Sequence, residues 1–382
     1  MEHQFTVFDV LIIIGITQGL ITSVLLLSSK KNKRSNPFLA LGLIAFCFLS
    51  TKILQHSLQL WETMTFRYFP NGVELVIAPL LYFYTVALVN PRFKFERRHW
   101  IHFVPFLLSQ TYAFYVYFSL LGAPSIIEKD IIANSLYFNE IKKLEDYLSL
   151  ISIGSYLVMG YLNLMAYKFW LNNTTSDSSY PDFNWLRNIL ILCAVLGLFL
   201  LLNLSFAFIP YFDDSHFWRW RAYFIFIAAL IYYLGFVGYR QAEFQVREST
   251  PIAPPPKVAK LSADQIQETI QLIEQALQTD KVYLNPTLTA KELAQQLGLS
   301  QNHLSAVINQ SFGKSFRELI NDCRVEEVKQ KLKDSDYQHL SILGIALESG
   351  FNSEASFYRI FKKNTGLSPK AYLMDREKSQ VQ

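Results

Sequence analysis

The sequence predicts an all-α chain in two parts: a seven-helix transmembrane bundle, then a small helical domain built on two similar helix pairs. Three observations carry this. The 382 residues are 51% apolar and only 17% charged, where a soluble protein carries about a quarter charged residues. The apolar residues concentrate before Tyr239, in runs approaching the roughly 20 residues needed to cross a hydrocarbon core. After Gln241 the chain turns polar, and a short helix, a glycine turn and a second short helix occur twice. The resulting division is a membrane domain over 1–240, a linker over 241–261, a helical domain over 262–376 and a tail over 377–382.

Seven candidate spans run in order: about Val10–Leu27, Phe38–Leu60, Val73–Val89, Ile101–Leu121, Leu148–Phe169, Ile189–Ile209 and Tyr223–Tyr239. Seven such runs in one segment argue against buried helices of a soluble core. The first run lacks a basic leader and a small-residue cleavage site, so it reads as a retained span. Loop charge orients the bundle. Lys30, Lys31, Lys33 and Arg34 lie in the first loop, and Arg92, Lys94, Arg97 and Arg98 in the third. The stretch before the first span has no Lys or Arg, and the second loop has only Arg67. Positive loops stay in the cytoplasm, so the N-terminus is expected outside and the C-terminus inside. The expectation is a multi-pass protein of the cytoplasmic (inner) membrane. All six tryptophans (Trp61, Trp100, Trp170, Trp185, Trp218 and Trp220) fall at or near span ends, where an amphipathic ring prefers the interface.

Lys52 and His56 lie in the outer half of the second span, and Glu74 lies at the outer end of the third. A charge within a membrane is costly and marks a pair or a site. One reading pairs Lys52 with Glu74, or lets Lys52 snorkel outward. The other has Lys52, His56 and Glu74 line an outward-facing pocket for a signal ligand. Asn163 and Asn203 read as interhelical hydrogen-bond partners. The fourth loop, Gly122–Tyr147, is the longest external segment and is acidic, suited to a lid or an interfacial helix.

The three cysteines, Cys47, Cys193 and Cys323, share no metal or redox spacing. No nucleophile–base set and no phosphate-cradling glycine loop occurs either. These absences argue against an enzyme and against a metal or other cofactor. In the linker, Pro251 and Pro254–Pro256 favour an extended chain that stops any helix. Its 21 residues from 241 to 261 reach at most roughly 70 Å.

In the C-terminal domain, Ile266, Ile270, Ile273 and Leu277 mark one amphipathic helix. Thr289 then caps a helix that buries Leu293, Ala294 and Leu297. Gly298 permits a left-handed turn and Ser300 caps the next helix, which buries Leu304, Val307 and Ile308. A long helix, about Ser315–Leu332, turns Phe316, Leu319, Ile320, Val325 and Val328 inward. The pattern then recurs. Ser341–Ser349 forms a short helix with Ile342, Ile345, Ala346 and Leu347. Gly350 turns, Phe351 anchors, and Ser353 caps Glu354–Lys363, which buries Phe357, Ile360 and Phe361.

Residues 265–376 resemble the AraC/XylS family of bacterial transcription regulators. The first helix pair matches at Leu293-Ala294, Leu297-Gly298-Leu299-Ser300, His303-Leu304, Phe312-Gly313 and Phe316. The second matches at Ile345-Ala346, Gly350-Phe351, Ser356-Phe357, Phe361-Lys362-Lys363, Gly366, Ser368-Pro369 and Tyr372. The resemblance implies an AraC-type double helix-turn-helix that reads two successive turns of double-stranded DNA, with the second helix of each pair in the major groove. Carried over by position, the base-facing residues are Gln301, Asn302, Ser305, Ala306 and Asn309 in the first pair. In the second pair they are Glu354, Ala355, Tyr358 and Arg359. Asn can bond adenine in bidentate fashion, Arg can read guanine, and Ala can touch a thymine methyl. Glu354 either accepts from cytosine or simply suits the helix dipole. Phosphate contacts fall to Ser300, Lys314, Lys362 and Lys363, and to helix N-termini.

Residues 262–376 hold 13 Lys and Arg against 14 Asp and Glu, so few phosphate contacts are expected. The leading expectation is a sequence-specific regulator embedded in the bilayer, coupling a membrane or extracytoplasmic signal to transcription. A homodimer would place two such domains on paired DNA sites. The alternatives are a transporter or enzyme with a DNA-binding tail, and a regulator whose spans are only an anchor.

Overall fold

The computed structural model describes residues 5–30, 32–90, 92–177, 180–206, 218–240 and 262–380. The expected proline-rich linker, 241–261, lies outside the described residues. The chain separates into two compact units. One comprises residues 1–164 and 183–249, and the other residues 165–182 and 250–382. The second therefore includes the end of the fifth apolar run and the segment after it, which the sequence places in the membrane domain.

In the N-terminal unit each apolar run forms a helix. These are α1 Val7–Ser28, α2 Asn36–Ser57, α3 Glu74–Val89 and α4 Val104–Ser119; after α5, Ile126–Ser135, come α6 Phe138–Thr174, α7 Asn184–Phe206 and α8 Trp218–Arg240. Among the described residues, five are long and apolar enough to cross a membrane: α1, α2, α6, α7 and α8. The expected count of seven is thus not reached by length. Both α3 and α4 have 16 residues, about 24 Å at roughly 1.5 Å per residue, short of a hydrocarbon core of about 30 Å. In α4 the cause is local, because a tighter 3-10 turn over Arg97–Phe103 takes up the start of the run. The expected Gly122–Tyr147 loop is largely helical, as α5 and the first turns of α6.

The packing of α1 inverts that of a soluble helix. Gly15, Gly19, Thr22 and Ser23 are buried, while Leu11, Ile14, Ile21 and Val24 are exposed. Small residues let backbones approach closely where lipid removes the hydrophobic drive between helices. At Gly15 an added Cβ would lie 2.8 Å from Ala228 Cβ of α8, so only glycine permits this contact. A Thr6–Asp9 capping box starts α1.

The C-terminal unit holds α9 Ala263–Gln278, α10 Ala290–Gln296, α11 Gln301–Ser311 and α12 Phe316–Lys331. They are followed by α13 Ile342–Glu348, α14 Glu354–Thr365 and α15 Pro369–Gln380. Two hydrophobic cores share α12. Its first half gives Phe316, Leu319 and Ile320 to the core beneath α10 and α11. Its second half gives Val325 and Val328 to the core beneath α13 and α14. Leu347 departs from the expected inward set and is 48% exposed. Among the described residues there is no strand, only an isolated bridge between Thr175 and Thr289.

Candidate functional site

Each helix pair is set by its caps and its glycine. The Thr289 hydroxyl accepts from Glu292 N at 3.2 Å, and the Glu292 carboxylate accepts from Thr289 N at 2.8 Å. The Ser300 hydroxyl accepts from His303 N, which starts α11. Gly298 turns between the helices at φ 69° and Gly350 repeats the turn at φ 91°. A Cβ at Gly350 would also run into the Tyr283 carbonyl oxygen.

This scaffold keeps one face of α11 and one face of α14 out of the two hydrophobic cores. On α11, Leu304, Val307 and Ile308 are fully buried. Asn302 and Asn309 are exposed, and Gln301, Ser305 and Ala306 are half-buried. On α14, Phe357 and Phe361 are fully buried, while Glu354, Ala355, Tyr358 and Arg359 are exposed. Of the expected phosphate contacts, Lys362 and Lys363 are exposed at the end of α14. Lys363 lies 3.5 Å from Glu318, and Lys314 pairs with Asp322 at 2.6 Å.

A segment that no local sequence pattern marks lies on this face. Residues 173–177 and 180–182, which start in the last turn of α6, pack within the C-terminal unit. Asn309 Nδ2 donates to Asn173 Oδ1 at 3.0 Å, and Ser305 Oγ donates to Asn173 O at 3.5 Å. Arg359 forms an ion pair with Asp182. Asn352, in the turn before α14, donates to Asp177. The segment's middle is anchored on Arg324, which is fully buried. Arg324 Nη1 donates to Ser176 O at 2.8 Å and Nη2 to Ser176 Oγ at 2.9 Å. Nε donates to Tyr283 O at 2.8 Å and Nη2 to Asn285 O at 2.7 Å. Burial pushes the guanidinium down to about 10 against the pull of Asp177, so it stays charged at neutral pH. The available signal was register, since Arg324 stands four residues from both Ile320 and Val328 on the buried face of α12.

Residues 293–375 match the helix-turn-helix domain family. The C-terminal part of this chain is a helix-turn-helix domain of the AraC type. Over 116 residues, 30% of its length, the chain is 34% identical to HTH-type transcriptional regulators of Staphylococcus aureus strains MSSA476 and N315. Over 85 residues, 22% of its length, it is 33% identical to the melibiose operon regulatory protein of Escherichia coli K12. The chain spans 14% of the staphylococcal proteins and 27% of the melibiose regulator. No solved structure is significantly similar to it.

The N-terminal unit holds a cavity of about 410 Å³ that is open on one side. Lys52, His56 and Glu74 all line it, and Lys52 and Glu74 form an ion pair. The His56 ring stacks on Trp61 at 5.6 Å. Further polar groups reach the wall from Asn71 and from α6, as Lys142, Asp146 and Ser149. Much of the remainder is apolar, including Phe46, Leu49, Ile53, Leu81 and Ile153. Three buried polar atoms of the lining have no hydrogen-bond partner among the described residues: Glu74 Oε2, Asn71 Oδ1 and Ser149 Oγ. Buried polar atoms are almost always paired, so this end of the cavity suits hydrogen bonds from outside the chain. Asn203 Nδ2 instead bonds within its own helix, to Phe199 O at 2.8 Å.

Proposed function

We propose that this chain is a membrane-embedded transcription regulator whose helix-turn-helix domain reads double-stranded DNA and whose apolar unit senses a signal. The observation that carries the reading is the joining of a two-pair DNA-reading domain to helices long enough to span a bilayer. The base-reading residues are Gln301, Asn302, Ser305, Ala306 and Asn309, with Glu354, Ala355, Tyr358 and Arg359. Phosphate contacts fall to Ser300, Lys314, Lys362 and Lys363. The input is the cavity of Lys52, His56 and Glu74. Its ligand is an amphipathic molecule with an apolar body and a polar end that donates hydrogen bonds, because Glu74 Oε2 and Asn71 Oδ1 are acceptors. The chain lies in the cytoplasmic membrane with its DNA-reading domain in the cytoplasm, and a homodimer would present two such domains.

The test is selection of DNA fragments by the full chain in lipid nanodiscs, followed by footprinting. One enriched motif, protected in two grooves about one helical turn apart, is expected. Arg359→Ala should cost about 1–3 kcal/mol at one base pair and relax specificity there. The helical domain is nearly neutral, so a salt dependence implying ten or more phosphate contacts would overturn this assignment. Replacing the apolar helices by an unrelated span separates sensor from anchor, because a mere anchor would leave regulation intact.

A further inference from the structure

We propose that residues 173–177, with Asp182, are a built-in occupant of the DNA-reading face, a strap that competes with DNA for the same side chains. The inference rests on the DNA-binding reading above and adds to it the state of the protein without DNA.

The strap meets both helix pairs. On α11 it takes Asn309, whose amide donates to Asn173 Oδ1 at 3.0 Å, and the Ser305 hydroxyl, which donates to Asn173 O. On the second pair it takes Arg359 through Asp182 and Asn352 through Asp177. An Asn can grip adenine only with its amide free, and an Arg can fork onto guanine only when no carboxylate holds it. Asp182 sets negative charge against Arg359, which would otherwise meet the DNA, so the strap imitates the charge of its competitor. Bound DNA would also meet the Asp182 carboxylate as repulsion unless the strap withdrew.

The strap is seated by its middle. Thr175, Ser176 and Asp177 are buried, and Ser176 N and Oγ both donate to Leu288 O, at 3.0 and 2.7 Å. Ser176 also accepts two of the donors of buried Arg324. Arg324 keeps Tyr283 O, Asn285 O and Asn321 Oδ1 as other acceptors, so letting go of the strap does not strip it bare. The contacts on the base-reading residues, by contrast, are made by exposed or half-buried side chains that can exchange partners with DNA. The strap also begins in the last turn of α6, the helix that gives Lys142, Asp146 and Ser149 to the cavity. A ligand that moves α6 therefore has a covalent route to the strap.

The experiment compares the full chain in nanodiscs with D182N and with N173A, measuring binding to duplex DNA at low salt. An exposed ion pair is worth up to about fivefold, so D182N should bind up to about fivefold tighter than the unaltered chain. Equal or weaker binding overturns the strap. Because these variants alter a folded contact, a second measurement uses N173C/N309C joined by a short bismaleimide. Cross-linking should be efficient without DNA, suppressed by DNA, and should abolish binding once formed. A cross-linked protein that binds DNA as well as the uncross-linked one overturns the proposal. If no form binds any duplex while the cross-link still forms, the DNA-binding reading itself has failed, and the strap with it.

Discussion

Arg324 and Ser176 stand 148 positions apart in the chain and are joined by two hydrogen bonds of 2.8 and 2.9 Å. The guanidinium is fully buried, and Ser176 is one of three residues that accept from it through backbone carbonyls, alongside Tyr283 and Asn285. A buried charge is tolerated only when its donors are met. The segment after α6 is thus part of how the helix-turn-helix domain holds α12.

Ser176→Ala removes an acceptor of Arg324 Nη2 and a donor to Leu288 O. Hydrogen bonds to charged groups contribute roughly 1.5–3 kcal/mol, so a loss of about that size is expected in the C-terminal unit. Hydrogen exchange of the full chain should show faster exchange in α12 and unchanged exchange in α1. Equal protection of α12 in both proteins would mean that Ser176 contributes nothing.

Lys52 and Glu74 should show strong coupling. Their side chains are 29% and 20% exposed, and Lys52→Ala leaves the Glu74 carboxylate without its cation. Breaking a buried pair from one side costs about 3–5 kcal/mol, and partial exposure places this pair towards the lower end. The double variant Lys52→Ala/Glu74→Ala should recover part of the loss. A double-mutant cycle on thermal unfolding in nanodiscs checks this, and strict additivity would deny the coupling. If either single alanine variant that still folds leaves signalling intact, that residue is no part of the input site.

Gly350→Ala confronts two penalties together, a φ of 91° and a collision with the Tyr283 carbonyl oxygen. Strained backbone of this kind costs of order 1–3 kcal/mol before any clash. Gly298→Ala, with open space around its Cβ, should cost less. Melting temperatures of the two variants should fall in that order, and the reverse order would contradict the close approach.

Acid should loosen the helix-turn-helix domain through Glu327. Burial raises its carboxyl, but the Tyr283 hydroxyl at 2.7 Å and the Lys281 and Lys331 ammonium groups outweigh this and hold it below its ordinary 4.5. A folded value below the unfolded one makes the contribution full above about pH 4.5, and it is lost as pH falls through the folded value. Glu327→Gln should flatten the acid side of the stability–pH curve. An unchanged curve would remove Glu327 as a source of the acid sensitivity.

The elements themselves were legible because their causes are local. Thr289, Ser300 and Ser353 cap helices by bonding backbone three residues away. Gly298 and Gly350 mark the turns by needing positive φ. The buried faces of α11 and α14 follow from residues three and four apart. The same periodicity did not separate five long spans from seven apolar runs. The shortness of α3 and α4 depends on where each helix begins, not on how apolar the run is.

What the sequence by itself determined is the all-helical character, the apolar runs and the paired helix–glycine–helix pattern. Each is encoded within a few neighbouring residues by propensity, capping and period. What only the tertiary structure decided is which distant groups meet. It brought Asn71, Glu74 and Ser149 to one cavity wall, gave Arg324 its acceptor at Ser176, and placed Asn173 against Asn309 across 136 positions. Polar side chains bond whichever partner the packing delivers, and no local period records that partner.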